Sequence, residues 1–450
     1  MSGTMARPVE SHPSADLGVI PALLLFAAIA FNPALAVVNA HVTPLNQASI
    51  IGAEFTLVVA AHLVAIANYR SQMLTWYALL ATVLLFAAYR SIMLEQIEAK
   101  YVRDVLLIPT FIVLGMTFAQ RNLTRVVVLI HAVVLIVLVI EALDTPAYSD
   151  LFRIQDYYIN TRGYDVSNFW NKQSDLYVSA TRPDSRVFFS FFYLHRLSSI
   201  FLEPVSLGYY CIIIIAYVCA RFSSLTLTTR VFLIGGTIVA LIGCDGRLAF
   251  AASVLIIAAS FAAPCLPRYS AFLYLPGALG AAFLIVNLGG FHAGTDDFPG
   301  RIAHTIELLK QFAATEFFGI SDDKELLSKA VDSGIAYLII TQSILASAIL
   351  WMFIVFGSAE RTREQIRLTH ATGIYLSLVM MVSFAFLTIK TAALLWFIYG
   401  ALQASRHPAE QASQVSRSDG RTPAWPRGRV PAPSIGRTFV SACQPGGARW

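Results

Sequence analysis

The sequence predicts an all-α, polytopic integral membrane protein of about twelve transmembrane helices, and three observations carry that expectation. Of its 450 residues, 57% are hydrophobic and 13% charged, more apolar side chain than a soluble core can cover. The apolar residues gather in runs near the ~20 residues that a membrane-crossing helix needs. Lys and Arg favour alternate short loops, as the positive-inside rule requires when the helix parity is right.

Residues 1–16 are polar, and residues 17–40 form the first apolar run. Val38-Asn39-Ala40 loosely fits a signal cleavage site, but the run is long for a signal, so a retained helix is expected. Further runs occupy 48–68, 73–89, 101–119 and 124–143, then 204–220, 231–244, 247–263, 270–290, 333–357, 370–388 and 389–404. With the N-terminus inside, the short inner loops hold Arg70, Arg121, Arg125, Arg221, Arg230, Arg268, Arg361, Arg363 and Arg367. The short outer loops hold Arg90, Lys100, Arg247 and Lys390. The same parity puts two long loops, about 144–203 and 291–332, on one outer face. Both termini are then cytoplasmic: a segment over 1–16, a membrane domain over 17–404, and a basic tail over 405–450.

The tail's seven Arg against Glu410 and Asp419 account for the whole formal charge of +5, so nucleic acid is not implied. Its Pro, Ser and Gly content predicts disorder, either solvated or in contact with anionic lipid. Cys211, Cys219, Cys244 and Cys265 lie in apolar runs and Cys443 in the tail, so neither a disulfide nor a cysteine metal site is expected. No other metal or cofactor site is legible.

Within the runs, Glu54, His62, Asp104 and His131 are the main ionisable residues, and they do not cluster in sequence. Each reads as a locally paired polar group or as part of an ion relay. The outer face is richer. The first loop alternates Tyr148, Phe152, Tyr157, Tyr158, Tyr164, Phe169, Trp170 and Tyr177 with Asp, Asn and Arg, which suits sugar rings or simply an interface. It ends in His195-Arg196-Leu197-Ser198-Ser199-Ile200-Phe201-Leu202-Glu203-Pro204. There Pro204 suits a first helical turn, and Glu203 reads as a cap, an ion-pair partner of Arg196, or a general base. The turn Cys244-Asp245-Gly246-Arg247 carries another arginine. In the second loop, residues 301–312 read as an amphipathic helix with Arg301 and His304 one turn apart, followed by Phe317-Phe318-Gly319-Ile320 and Asp322-Asp323.

Arg196, Arg247 and Arg301 together could hold a pyrophosphate, because a guanidinium fork binds phosphate oxygens in bidentate fashion and stays charged. A lipid-pyrophosphate-linked sugar fits that chemistry. Its leaving group needs electrostatic stabilisation more than a metal, and the attacking hydroxyl needs a base, His304 or Glu203.

The string Arg196-x-x-Ser199-x-Phe201-x-Glu203-Pro204-x-x-x-Gly208, the Arg247 turn, and an Arg-headed loop helix followed by Phe-Gly-Ile resemble the bacterial O-antigen polymerase and ligase superfamily. The chain is most similar to exopolysaccharide repeat-unit polymerases of the xanthan type. The resemblance implies a multi-pass enzyme of the inner membrane that joins undecaprenyl-pyrophosphate-linked oligosaccharides on the periplasmic face, beside a flippase and a chain-length regulator. It implies substrate contacts at Arg196, Arg247 and Arg301, to which the loop chemistry adds Ser199 and Trp170. The spacing from Arg301 to Gly319 departs from the family pattern, and His304 as base comes from the residues rather than the resemblance. Alternatives are a ligase of the same superfamily, a polysaccharide transporter or flippase, and a non-catalytic membrane scaffold.

Overall fold

A computed structural model describes residues 18–169, 175–181, 195–294, 298–357 and 362–404. The segment 1–16 and the tail 405–450 lie outside the described residues. The described chain is all-helical, with no strand. It opens with α1 (Val19–Ile29), α2 (Phe31–His41), α3 (Gln47–Ala67), α4 (Leu74–Leu94), α5 (Ala99–Thr117) and α6 (Gln120–Leu143). Within the first long loop lie α7 (Thr145–Phe152) and α8 (Ile154–Arg162). The bundle resumes with α9 (Pro204–Arg221), α10 (Leu227–Cys244), α11 (Arg247–Ala262) and α12 (Tyr274–Gly289). The second loop contributes α13 (Phe298–Lys310), α14 (Ala314–Phe317) and α15 (Lys324–Ala330), before α16 (Gly334–Gln342), α17 (Ile344–Phe356), α18 (Arg363–Val379) and α19 (Ile389–Gln403).

Among the described residues, six helices can by length and composition cross a membrane, or up to eight if each of two bent pairs is one span. The expected twelve is not shown, for identifiable reasons. Residues 17–40 are not one helix: α1 and α2 meet at 61°, because Pro33 cannot supply the N–H that would continue the turn. The run 333–357 bends by 117° between α16 and α17 at Ser343, which sits at φ 97° and caps α17 by accepting from Ala346 N. The last pair is divided differently from expectation, with α18 ending at Val379 and a non-α segment reaching Thr388. Finally, α5 bears Lys100, Arg103 and Asp104 in its first turns, and α11 and α19 are short.

The centre of the bundle is α5 against α19. Gly115 and Gly400 let the backbones touch: a Cβ on Gly400 would lie 2.0 Å from Ile112 O, and one on Gly115 2.2 Å from Phe397 O. Small residues at such crossings replace the hydrophobic driving force that lipid removes. Every residue of α19 is buried, whereas α3, α4, α6, α10 and α12 expose large apolar side chains such as Leu63, Leu85, Ile136, Ile238 and Leu288. An apolar outer belt around a buried helical centre is what a lipid solvent permits.

Candidate functional site

The stretch 195–204 is organised by a residue far from it in sequence. Ser198 N and Ser199 N both donate to the Glu141 carboxylate, at 2.9 and 2.6 Å, and Ser198 Oγ adds a third bond at 3.0 Å. His195 Nε2 lies 3.2 Å from the same carboxylate. Ser199 takes φ 51°, a left-handed conformation next to Ser198 that suits two successive N–H groups converging on one anion. Glu141 ends α6 and is fully buried, so the loop is clamped to that helix. Ser199 Oγ donates to Val134 O at 2.6 Å, and Tyr148 Oη donates to Ser199 O at 2.7 Å. Ser199, expected to touch substrate, is wholly buried and used inside the fold.

Arg196 is nearly buried and crosses two chain segments. Its Nε donates to Cys244 O at 2.9 Å and one terminal nitrogen to Ser179 O at 3.1 Å. The backbone follows the same path, since Arg196 N donates to Ala180 O and Leu197 N to Gly243 O. This stretch therefore packs against the start of the Cys244-Asp245-Gly246-Arg247 turn. Asp245 at φ 48° ends α10, and Arg247 begins α11 with its side chain exposed. Gly208 serves this junction, because a Cβ there would meet Ala249 Cβ at 3.2 Å.

Glu203 does not close an ion pair on Arg196. Its Oε2 lies 2.6 Å from Lys390 Nζ and its Oε1 3.1 Å from an Arg162 nitrogen. Tyr158 Oη and Ser206 Oγ also donate to it, at 2.7 and 2.8 Å. Burial pushes this carboxyl up, but Lys390 and Arg162 outweigh that and hold it at about 2. A carboxylate so paired is a weak base, so the geometry makes Glu203 an anchor and disfavours the base role. Arg162, at the end of α8, stacks over the Tyr158 ring at 4.6 Å. Tyr158 in turn meets Tyr164 and Tyr177 at 6.0 and 4.9 Å between ring centroids. The loop aromatics thus form a compact group around one cation, with Tyr148 and Phe152 packed beside it.

In the second loop, α13 lays Ile302, Ala303 and Ile306 inward. Thr305 Oγ1 donates to Met381 O at 2.7 Å, fixing the helix on the break between α18 and α19. His304 Nε2 lies 2.9 Å from Lys329 O. As a carbonyl can only accept, this contact fixes the tautomer with Nε2–H and leaves Nδ1 as the basic nitrogen. Arg301 is half-buried and, with Asp332 and Glu203, acts electrostatically on Tyr209 of α9. The Phe317-Phe318-Gly319-Ile320 string is held by Arg90, which donates to Gly319 O, to Ile340 O at 2.7 Å and to Ser321 O at 3.2 Å. Gly319 is required there, at φ 71° with a Cβ position 2.7 Å from Ser343 N. Trp170 lies outside the described residues.

Several polar residues were not legible as partners. Glu54 and Asp104, scattered in sequence, share Arg103, and Tyr337 Oη donates to Asp104 at 2.6 Å. His131 pairs with Tyr210 at 2.9 Å and His62 with Thr110 at 3.0 Å. Glu141, closing the apolar run 126–140, and Lys390, opening α19, each carry a weak signal, a lone charge at the edge of a run. Nothing in the sequence pairs them with their partners. No protein-family model, no curated protein and no solved structure matches the chain.

Proposed function

We propose that the chain is a membrane glycosyltransferase that joins undecaprenyl-pyrophosphate-linked oligosaccharide repeat units at the periplasmic face of the bacterial inner membrane, during exopolysaccharide biosynthesis. In this reading the apolar runs complete twelve crossings, both termini are cytoplasmic, and a flippase and a chain-length regulator work beside it. One observation carries the reading: both long loops grip the same segment. Residues 380–390 bond to α13 through Thr305 and Met381, and to the end of the first loop through Lys390 and Glu203. Those two bonds support a site that draws on both loops.

The chemistry follows from side chains alone. Arg196, oriented by two carbonyls, works with Arg247 and Arg301 to neutralise a departing pyrophosphate. His304 accepts the proton of the attacking sugar hydroxyl at Nδ1, its other nitrogen being directed at Lys329 O. Trp170 and the half-buried Tyr164 and Tyr177 offer faces to sugar rings. Ser199 and Glu203 hold the loop in place.

A transporter is the second reading, and two features favour it: the buried Glu54–Arg103–Asp104 set and the broken α16–α17 pair. Deleting the gene and following the lipid-linked intermediates discriminates. A polymerase leaves single repeat units on the carrier and no long chains. Long chains accumulating on the carrier would indicate a ligase, and repeat units held on the cytoplasmic leaflet a flippase.

A further inference from the structure

Gln120 opens α6 and Arg221 closes α9, so both stand at the end of the bundle opposite to Glu141 and Pro204. The first turn of α18 meets them there. Arg221 Nε lies 3.4 Å from one oxygen of the Glu364 carboxylate, and Gln120 Nε2 donates to the same oxygen at 3.2 Å. On its own helix Glu364 has Arg363 before it and Arg367 one turn later. Arg363 is exposed and Arg367 half-buried, and neither forms an ion pair among the described residues. Arg367 Nε is buried with no hydrogen-bond partner. Three guanidinium groups thus share one carboxylate, and that carboxylate is held by Arg221.

Burying part of a cation without a partner is unfavourable, and so is setting like charges four residues apart on one helix face, as Arg363 and Arg367 are. Arg363 also stands in the first turn of α18, where the helix dipole favours an anion. A phosphate oxyanion relieves all three conditions, because guanidinium forks bind its oxygens in bidentate fashion. The surroundings favour a phosphate carried on lipid. Phe222, next to Arg221, is exposed, and Arg230 lies over its ring at 4.3 Å from the centroid. Leu227 and Val231 continue that exposed apolar surface along α10. An acyl chain laid against it would present its head group at Arg221.

We propose that Arg221, Arg363 and Arg367 form a binding site for the phosphate of an anionic phospholipid head group, at the end of the bundle remote from the 195–204 stretch. Basic pockets between membrane helices take head groups in this way. The site holds whether or not the chain is a polymerase.

The test is titration of the full chain in detergent with phosphatidylglycerol, phosphatidylcholine and inorganic phosphate, bound states being counted by native mass spectrometry. Phosphatidylglycerol should bind more tightly than phosphatidylcholine. Arg367→Gln should weaken phosphatidylglycerol binding by about tenfold, the worth of one charge-assisted contact. Arg363→Gln, at an exposed position whose change leaves the fold intact, should weaken the same lipid and carries the comparison if Arg367→Gln does not fold. Lys324→Gln, an exposed lysine of the second loop, should bind as wild type. Unchanged phosphatidylglycerol affinity in both arginine variants would overturn the site, as would an equal loss in Lys324→Gln or equal binding of the two lipids by wild type. A loss confined to inorganic phosphate would overturn lipid as the source of the anion.

Discussion

Lys390 Nζ lies 2.6 Å from Glu203 Oε2, which ties the first turn of α19 to the residue that opens α9. Both side chains are largely buried, and Lys390→Met leaves Glu203 to Arg162, Tyr158 and Ser206 alone. The substitution should destabilise the protein by about 1–3 kcal/mol, read as thermal unfolding in detergent. Lys390→Met combined with Glu203→Gln should recover part of that loss, and a double variant as unstable as the sum of the singles would show the pair to be uncoupled.

The same pair sets a pH window. The folded Glu203 carboxyl titrates at about 2, below its ordinary value of 4.5. Its contribution is therefore complete above about pH 4.5 and is lost as pH falls toward 2. Glu203→Gln should flatten the acid limb of a stability-against-pH curve over that interval.

Asp175 behaves in the opposite sense. Burial pushes its carboxyl up from 3.8 to about 6, against the bond it accepts from Gln155 N. Charging it costs stability as pH rises from about 4 through 6. Asp175→Asn tolerates the same left-handed backbone, φ 48°, and should raise the melting temperature at pH 7.5 but not at pH 4. An equal rise at both values would rule out the charge as the cause.

Arg196→Lys keeps the charge and loses the fork, so one ammonium cannot hold both Cys244 O and Ser179 O in the same geometry. Most polymer formation should disappear, and residues 175–181 should become more open to proteolysis. Normal polymer from Arg196→Ala at normal expression would remove this residue from the site. His304→Gln, by contrast, should leave substrate binding near wild type and lower turnover by about 10²–10⁴-fold, the usual worth of a positioned base.

Gly400→Ala drives a Cβ into Ile112 O across the tightest helix crossing. Backbone cannot yield as a flexible side chain can, so a loss of about 1–3 kcal/mol or more is expected by thermal unfolding. Gly277→Ala, where nothing lies within 4 Å, provides the comparison and should change stability little.

The sequence by itself determined the all-helical class and the position of most elements, because apolar runs of near-membrane length admit little else in lipid. It also marked Arg196, Arg247, Arg301 and His304, polar residues of the loops and turn between apolar runs in a 13% charged chain. It did not determine the bends, because Pro33 and Ser343 act through single backbone positions that hydropathy does not register. Nor could it pair Glu203 with Lys390, Ser198 and Ser199 with Glu141, or Glu54 with Arg103. Those partners lie far apart in the chain, and only the tertiary structure decided them, because a buried charge takes whichever opposite group the packing brings within reach.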